Sequence, residues 1–575
     1  MRSRAPQKSL WGVHMEFGRK PGKANTVGLL SSYKFGANSP IYSETPRRAR
    51  IEAINSLKTT EIRTDVGKAM NPDILACNLE EFRDHYWPSP RTDLRRIELI
   101  KERLSGKLID TAPSTQKVKL EREIFSRLKA IFMQIDALEL PKKECNRFAF
   151  GLVPDDNVSS DVAGANFRID ACVKEPNPNK EQSKFHATNI IVPMEFKVQR
   201  NIDTVLQITI EDDRMTLWYF SRSHTAKSRS FDYVKNPDLL IEVLISLMFA
   251  TDEELGLDPS IQMHHQQDPE AARQYVYELR EDDGSRFFST TKSISEYRTA
   301  YVSGRKTRVF KVVEVEKEGT TWREKNGAKP MVLKDVWLNE GAKTEKEIQD
   351  ALFDDIQNFA ERPDWRTDAS LKDFCEDEVG AGKRFLDDFE SIMRGGYFKT
   401  LFLLIRSQHV CLPSKRPIAS AWVPNPLVFY SKNVWTQDDE RPQEDKNIKP
   451  NFCLFAPKRR CFILFSDECT PVDRLPTVGD AFDVLSQCVI ALRLLFCVGW
   501  VHRDVSTGNV MAIKDANGTW KVKLADLEYA KKFESGAGTF DPKTGTPYFM
   551  AHEILAHEYI VRGKRVPQTR FASYA

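Results

Sequence analysis

Residues 499–553 carry three short motifs in a fixed order, and few folds accommodate all three. His502-Arg503-Asp504 is followed, five positions after the aspartate, by Asn509. Asp526 closes a short apolar strand, Val522–Ala525. Gly545-Thr546-Pro547-Tyr548-Phe549-Met550-Ala551-His552-Glu553 comes next. Phosphoryl transfer from ATP needs this set. One carboxylate orients the attacking hydroxyl and accepts its proton, while an amide and a second carboxylate hold the magnesium ions that neutralise charge growing on the phosphates. A lone His-Arg-Asp triplet carries no such information; the ordered series does.

The 575 residues exceed what one core holds and predict about three to four domains. A net charge of +3 points to no polyanionic partner, so no nucleic acid is expected. The ten cysteines form no Cys-x-x-Cys pair, which argues against zinc and for a reducing compartment. The N-terminus lacks an apolar signal core. The most apolar run, Cys488–Trp500, is short and contains Arg493, so it reads as a buried helix and no membrane partner is expected. A cytoplasmic or nuclear protein is the expectation. Arg47-Arg48-Ala49-Arg50 reads as a solvated charge cluster, with a nuclear address as the alternative.

Taken in order, residues 1–50 are basic, rich in Ser, Gly and Pro, and without periodicity, and are read as disordered. Residues 51–140 are helical. Asn78 is placed to cap a helix from Leu79, and Leu120, Ile124, Leu128, Ile131, Phe132 and Ile135 form one stripe over Lys117–Leu138. A small α/β domain spans 141–270. Its strands are Phe148–Val153, Phe167–Val173, Asn189–Phe196, and a hairpin of Leu206–Ile210 and Met215–Phe220 around Asp212-Asp213-Arg214, with a helix over Leu239–Phe249. Asp170 and Glu195-Phe196-Lys197 end neighbouring strands, the pattern of the PD-(D/E)xK nucleases, whose carboxylates bind magnesium. Short charged triplets are common at strand ends, and solvated charges are the preferred reading.

From about 285 the pattern changes. Tyr301–Val309 precedes an alternating strand, Phe310–Val315. A loop covering phosphates wants glycines so that backbone N–H groups approach closely. Against Gly-x-Gly-x-x-Gly-x-Val only the middle glycine, Gly304, survives; Val302 and Thr307 stand at the other two glycine positions and Val309 at the valine, and taken alone the stretch reads better as a plain turn. Met331-Val332-Leu333-Lys334 reads as the strand whose lysine pairs with phosphates, and Thr344-Glu345-Lys346-Glu347-Ile348 opens a helix. Glu347 is the first choice for the ion-pair partner of Lys334, with Glu345 second. Arg460–Phe465 is a strand, Ser466-Asp467-Glu468 the hinge that meets adenine through its backbone, and Val478–Val498 an amphipathic helix feeding the His-Arg-Asp segment. Gln437–Lys449 is a polar insertion.

These residues together resemble the fungal-type protein kinase family from about Leu79 to Glu553. Its markers here are Thr216–Phe220, Asp252–Gly256, Val332-Leu333-Lys334-Asp335, Gly499–Asp504 and Phe549-Met550-Ala551. The resemblance implies an α+β, two-lobed kinase-like fold over 285–575, small lobe about 285–465 and partial large lobe 466–575, behind the α/β domain. It implies ATP and Mg2+. Asp504 would be the catalytic base, Asn509 and Asp526 the magnesium ligands, and Lys334 the phosphate-binding lysine with its helix glutamate. Gly304, Val309, Asp467 and Glu468 would contact the nucleotide. Thr546 would help hold the acceptor hydroxyl, and Thr544 is a candidate phosphosite.

The chain departs from that pattern. Leu527-Glu528 replaces Phe-Gly after Asp526, Ser506 stands where serine/threonine kinases place a lysine, and His552 replaces a proline. The sequence stops at Ala575, so the reading expects an incomplete large lobe and a partner covering its apolar surface. Three functions follow as expectations: a protein kinase acting on Ser or Thr of a protein substrate, a pseudokinase or nucleotide-binding interaction module, and a small-molecule phosphotransferase.

Overall fold

The computed structural model describes residues 74–88, 94–104, 112–115, 126–134 (without 129 and 132), 146–152, 158, 169–175, 187–197, 208–264, 274–296, 303–372 (without 320), 381–422, 455–532 and 549–550. All of them belong to one compact unit, Glu44–Ala575. The N-terminal arm 1–50, Gln437–Lys449, Thr544, Thr546 and the tail after Met550 lie outside the described residues.

A first sheet is built from β1 (Ile74–Cys77), β2 (Ala149–Leu152), β3 (Ala171–Lys174), β4 (Ile190–Lys197), β5 (Ile208–Glu211), β6 (Arg214–Phe220), β7 (Thr225–Ser228) and β8 (Phe231–Asp232). The order is β1-β7-β6-β5-β4-β3-β2, with β8 on β6. The pairs β1–β7 and β4–β5 are parallel and the rest antiparallel. Helices α1 (Leu79–His85), α2 (Leu94–Arg103) and α3 (Pro237–Phe249) pack on it. Apolar side chains of alternate strand positions, such as Val192, Met194 and Phe196, meet Phe82, Ile100, Leu128, Ile131 and Leu244 in one core. Buried side chains line α3 over most of its circumference, as its near-continuous apolar sequence requires. Asn78 stands at the N-cap of α1 without a capping side-chain bond; its amide reaches Glu81 instead.

The second sheet holds β9 (Ile261–His264), β10 (Gln274–Glu281), β11 (Gly284–Glu296), β12 (Arg308–Glu318), β13 (Thr321–Glu324), β14 (Met331–Asn339), β15 (Ile405–Pro413) and β16 (Lys458–Phe465). It is antiparallel throughout, in the order β15-β16-β14-β12-β11-β10-β9 with β13 on β12. It starts at Ile261 rather than near 285, because β9 and β10 extend it past β11 by ladder hydrogen bonds. Period-two alternation gives β14 two buried faces. Met331 and Leu333 join Tyr277, Phe288, Phe310 and Phe462 on one side; Val332, Val336 and Leu338 join Ile463, Phe465, Val309, Met511 and Ala525 on the other.

Beyond β14, helix α4 (Glu345–Glu361) crosses to a third core with α5 (Ala381–Met393) and α6 (Val478–Cys497). Gly395 and Gly396, both at φ near +75°, end α5. Short pairs complete this lobe: β17 (Thr470–Pro471), β18 (Trp500–Val501), β19 (Val510–Lys514), β20 (Trp520–Leu524) and β21 (Lys531–Lys532), with β17–β19, β19–β20 and β18–β21 antiparallel. Val478, Phe482, Leu485 and Val489 leave an exposed apolar stripe on α6.

Candidate active site

Lys334 points from the middle of β14, opposite Val309 of β12 and Ile463 of β16. Its ammonium donates to Glu345 Oε2 at 2.9 Å, Asp526 Oδ1 at 2.7 Å and Glu528 Oε2 at 3.1 Å. Glu345, not Glu347, is therefore the ion-pair partner. Glu347 is committed elsewhere: its carboxylate accepts from the Thr344 N–H at 2.7 Å while its own N–H donates to Thr344 Oγ1 at 3.2 Å, a closed capping box that starts α4. Glu345, two residues earlier, faces inward at 3 % exposure and accepts the Leu527 N–H at 3.2 Å as well.

Asp526 follows β20 in the left-handed region, φ 62° and ψ 58°. Few non-glycine residues adopt it, and here it turns the carboxylate back onto Lys334. The preceding loop is tied to the same point. His502 is buried, its Nε2–H donating to the Ala525 carbonyl at 3.0 Å while Nδ1 accepts the Asp504 N–H at 3.4 Å. Burial holds this imidazole below its ordinary value despite Asp526 nearby, so it is neutral. Asn509 donates its amide to the Asp504 carbonyl at 2.8 Å, and its own carbonyl accepts the Ala525 N–H at 2.9 Å. The residues of the His-Arg-Asp-x4-Asn segment and Asp526 are thus one hydrogen-bonded assembly. Ser506 is buried beneath it.

Burial works against the Lys334 charge, but Asp526, Glu345 and Glu528 outweigh it and hold the ammonium well above its usual value. Burial raises the Glu345 carboxyl, and its neighbours Asp526 and Glu528 raise it further against the pull of Lys334. Ligand oxygens of Glu345, Asp526 and Glu528 lie within 4.8 Å of one another, and among the described residues this is the group with the geometry to hold a metal ion. Hard carboxylate oxygens are the donors magnesium takes. Glu528 also pairs with Arg305, which reaches the Tyr529 hydroxyl and lies 4.9 Å above its ring. Among the described residues, Glu528 is the only acid lining a cavity of about 510 Å³ whose other charged walls are Arg305, Lys343, Lys458, Arg503, Lys531 and Lys532.

Gly304 sits at φ +111° with open space where a Cβ would be, in the connection between β11 and β12. Asp467 and Glu468 follow β16, their carboxylates near Lys523 at 3.7 Å and Lys311 at 2.6 Å. Asp170 lies away from this site, and its Oδ2 accepts the Phe196 N–H at 2.7 Å, tying β3 to β4. Motif reading missed Arg305 and Tyr529, and treated Glu528 as a departure only. Nothing in their spacing signals a role; the strand register and the turn at Asp526 bring them in.

The model of the fungal protein kinase family matches residues 168–561. The chain belongs to the fungal protein kinase family. Similarity to curated relatives is local. Serine/threonine-protein kinase zyg-8 of Caenorhabditis elegans is 36 % identical over 84 residues, 15 % of this chain and 10 % of that protein. Serine/threonine-protein kinase ppk11 of Schizosaccharomyces pombe is 36 % identical over 73 residues, 13 % of this chain and 22 % of that protein. The chain therefore spans between about a tenth and a fifth of these relatives. The solved structure of vaccinia related kinase 3 aligns with a TM-score of 0.23 at 10 % identity, over 48 % of this chain and 59 % of that one. No described helix of this family member is long and apolar enough to cross a membrane.

Proposed function

We propose that this fungal-family kinase transfers the γ-phosphate of ATP to Ser or Thr hydroxyls of proteins. The observation that carries the reading is the convergence of Lys334, Glu345 and Asp526 from three separate elements onto one buried point, hydrogen-bonded through Ala525 to the loop of Asp504 and Asn509. Lys334 would bind the α- and β-phosphates, held extended by Glu345. Asp504 would accept the proton of the attacking hydroxyl. Asn509 and Asp526, with Glu528 available beside them, would hold Mg2+, which neutralises phosphate charge when bound. The apolar face of Val309, Val332, Ile463, Phe465 and Met511 suits a flat base, with the backbone of Ser466–Glu468 at its edge.

One observation favours a second reading. Arg305, beside the loop glycine, is bound to Glu528 and Tyr529, so the phosphate-side carboxylates already carry an internal cation. That arrangement suits a nucleotide-binding module without transfer. Phosphate transfer from labelled Mg-ATP to a Ser/Thr peptide library, alongside binding measured by thermal shift, separates the two. Asp504→Asn is expected to lower transfer by about 10²–10⁴-fold while leaving the binding shift intact. Binding without transfer in the unaltered chain supports the second reading. Transfer that survives in Asp504→Asn removes Asp504 as the base, and transfer to small hydroxyl compounds but not to peptides would make the enzyme a small-molecule phosphotransferase.

A further inference from the structure

We propose that the β6–β7 turn, Ser221–His224, is a positioning brace through which the α/β domain fixes the loop before β12 and so sets the nucleotide affinity of a site it does not line. The second half of this statement rests on the kinase reading; the first half does not.

The contact is made to backbone. The Gly304 N–H donates to the Arg222 carbonyl at 2.8 Å. The next residue is held from the other side: the Arg305 carbonyl accepts the Trp337 N–H of β14 at 2.9 Å. The Arg305 side chain then reaches Glu528, which shares Lys334 with Glu345 and Asp526. A shift of the turn is thus two residues' reach from the Lys334 cluster.

The turn has little freedom to shift. Ser221 Oγ accepts the N–H groups of Ser223 at 3.3 Å and His224 at 3.2 Å. His224 is fully buried, with Nδ1 2.6 Å from Ser223 Oγ and Nε2 2.8 Å from the Tyr86 hydroxyl. Tyr86 is the C-cap residue of α1, so the brace is footed in the core of the α/β domain. On the far side Ser414, just past β15, donates to Ser223 Oγ at 3.4 Å. The Arg222 side chain is half-buried beside the second sheet, where Arg308, Arg460 and Asp335 are its charged neighbours. Asp335 is the residue after Lys334 and points to the opposite face of β14. The α/β domain therefore holds the loop of Gly304 through the Arg222 backbone and places the Arg222 guanidinium behind the strand of Lys334.

The test uses the full chain with two variants. Arg222→Gln removes the guanidinium from the second sheet; Tyr86→Phe keeps the ring and removes the hydroxyl that steadies His224. Hydrogen exchange of the peptide spanning 303–309, without nucleotide, reads the brace alone. Binding of a fluorescent ATP analogue with Mg2+ reads its consequence. Both variants are expected to exchange faster in that peptide and to bind the analogue about three- to tenfold more weakly, the span one lost hydrogen bond covers, with Arg222→Lys restoring part of the affinity. Unchanged exchange in the folded variants overturns the brace. Faster exchange with unchanged affinity limits it to a structural contact and overturns its effect on the site. If Arg222→Gln does not fold, Tyr86→Phe decides. If the unaltered chain binds no nucleotide, the kinase reading and with it the affinity claim fall, while the exchange result still judges the brace.

Discussion

Adjacent residues of β14 anchor two buried ion clusters on opposite faces of one sheet, and the clusters are built to opposite ends. Lys334 and Arg305 face three carboxylates, Glu345, Asp526 and Glu528. Behind the strand, Asp335 binds Arg308 and Arg460 together with the Tyr277 hydroxyl, Arg460 also binds Asp258, and Arg222 lies alongside. Burial opposes the Asp335 charge, yet Arg460 and Arg308 hold its carboxyl below the usual range. Burial displaces the Glu345 carboxyl upward, and Asp526 and Glu528 add to that against the pull of Lys334. A cluster left short of positive charge is an acceptor for a cation; a cluster with its acid fully enclosed by guanidiniums is a weld. Burial is comparable in the two, so the balance of charge is what sets them apart: three carboxylates to two cations around Lys334, three guanidiniums to two carboxylates around Asp335.

The comparison breaks most visibly at the weld. Asp335→Ala strands Arg308 and Arg460 in a buried setting and should cost about 3–5 kcal/mol in denaturant unfolding. A loss under about 1 kcal/mol would mean the cluster is not what holds the sheet. Lys334→Met should leave the chain folded and abolish the Mg-ATP thermal shift, about 2.7 kcal/mol at a hundredfold excess over Kd. A shift that persists would place the nucleotide elsewhere. The two acids also predict opposite pH responses. Glu345 is raised above its ordinary 4.5, so the folded chain binds that proton more tightly than the unfolded chain. Its contribution is present below the unfolded value and is lost as pH rises through the raised folded value, and Mg2+ affinity should climb over that same interval. Asp335 is lowered from 3.8, so its contribution is present above 3.8 and is lost as pH falls through the depressed folded value. Mg2+ titration and unfolding from pH 3 to 8, repeated in Glu345→Gln, would test this; an unchanged Mg2+ profile in that variant would remove Glu345 from the metal group. The smallest effect separates the two helix glutamates. Glu347→Gln should cost at most about 1 kcal/mol of helix capping and leave nucleotide binding alone.

That Lys334, Asp504, Asn509 and Asp526 come together was legible because each occupies a fixed place in an ordered motif. The choice between Glu345 and Glu347 was misread, although a different rule in the same sequence makes it. Thr344 followed three residues later by Glu347 is a capping-box signature, and a glutamate spent on the helix start is not available to Lys334. Strands β2 to β6 were readable from alternation to within a few residues, whereas β7 and β8 were not read and β1 falls inside the stretch 51–140 read as helical. Strand β15 was not, since Arg406, Gln408 and His409 give it no clear apolar face and its place is set by pairing with β16. Arg305 and Glu528 could not be joined by reading along the chain, being 223 positions apart and brought together by the register of β12 on β14 and the left-handed turn at Asp526. Asp170, read as a strand-end charge in a suggestive pattern, accepts a backbone hydrogen bond between strands.

The second sheet begins inside what looks like the neighbouring domain, and that bears on how such a chain can be inherited. A recombination break near residue 285 would strip β9 and β10 from the sheet, take Asp258 from Arg460 and remove the Tyr277 hydroxyl from Asp335. The downstream piece would carry the motifs of residues 499–553 and a torn interior, so a unit cut there needs the upstream segment to keep its sheet whole.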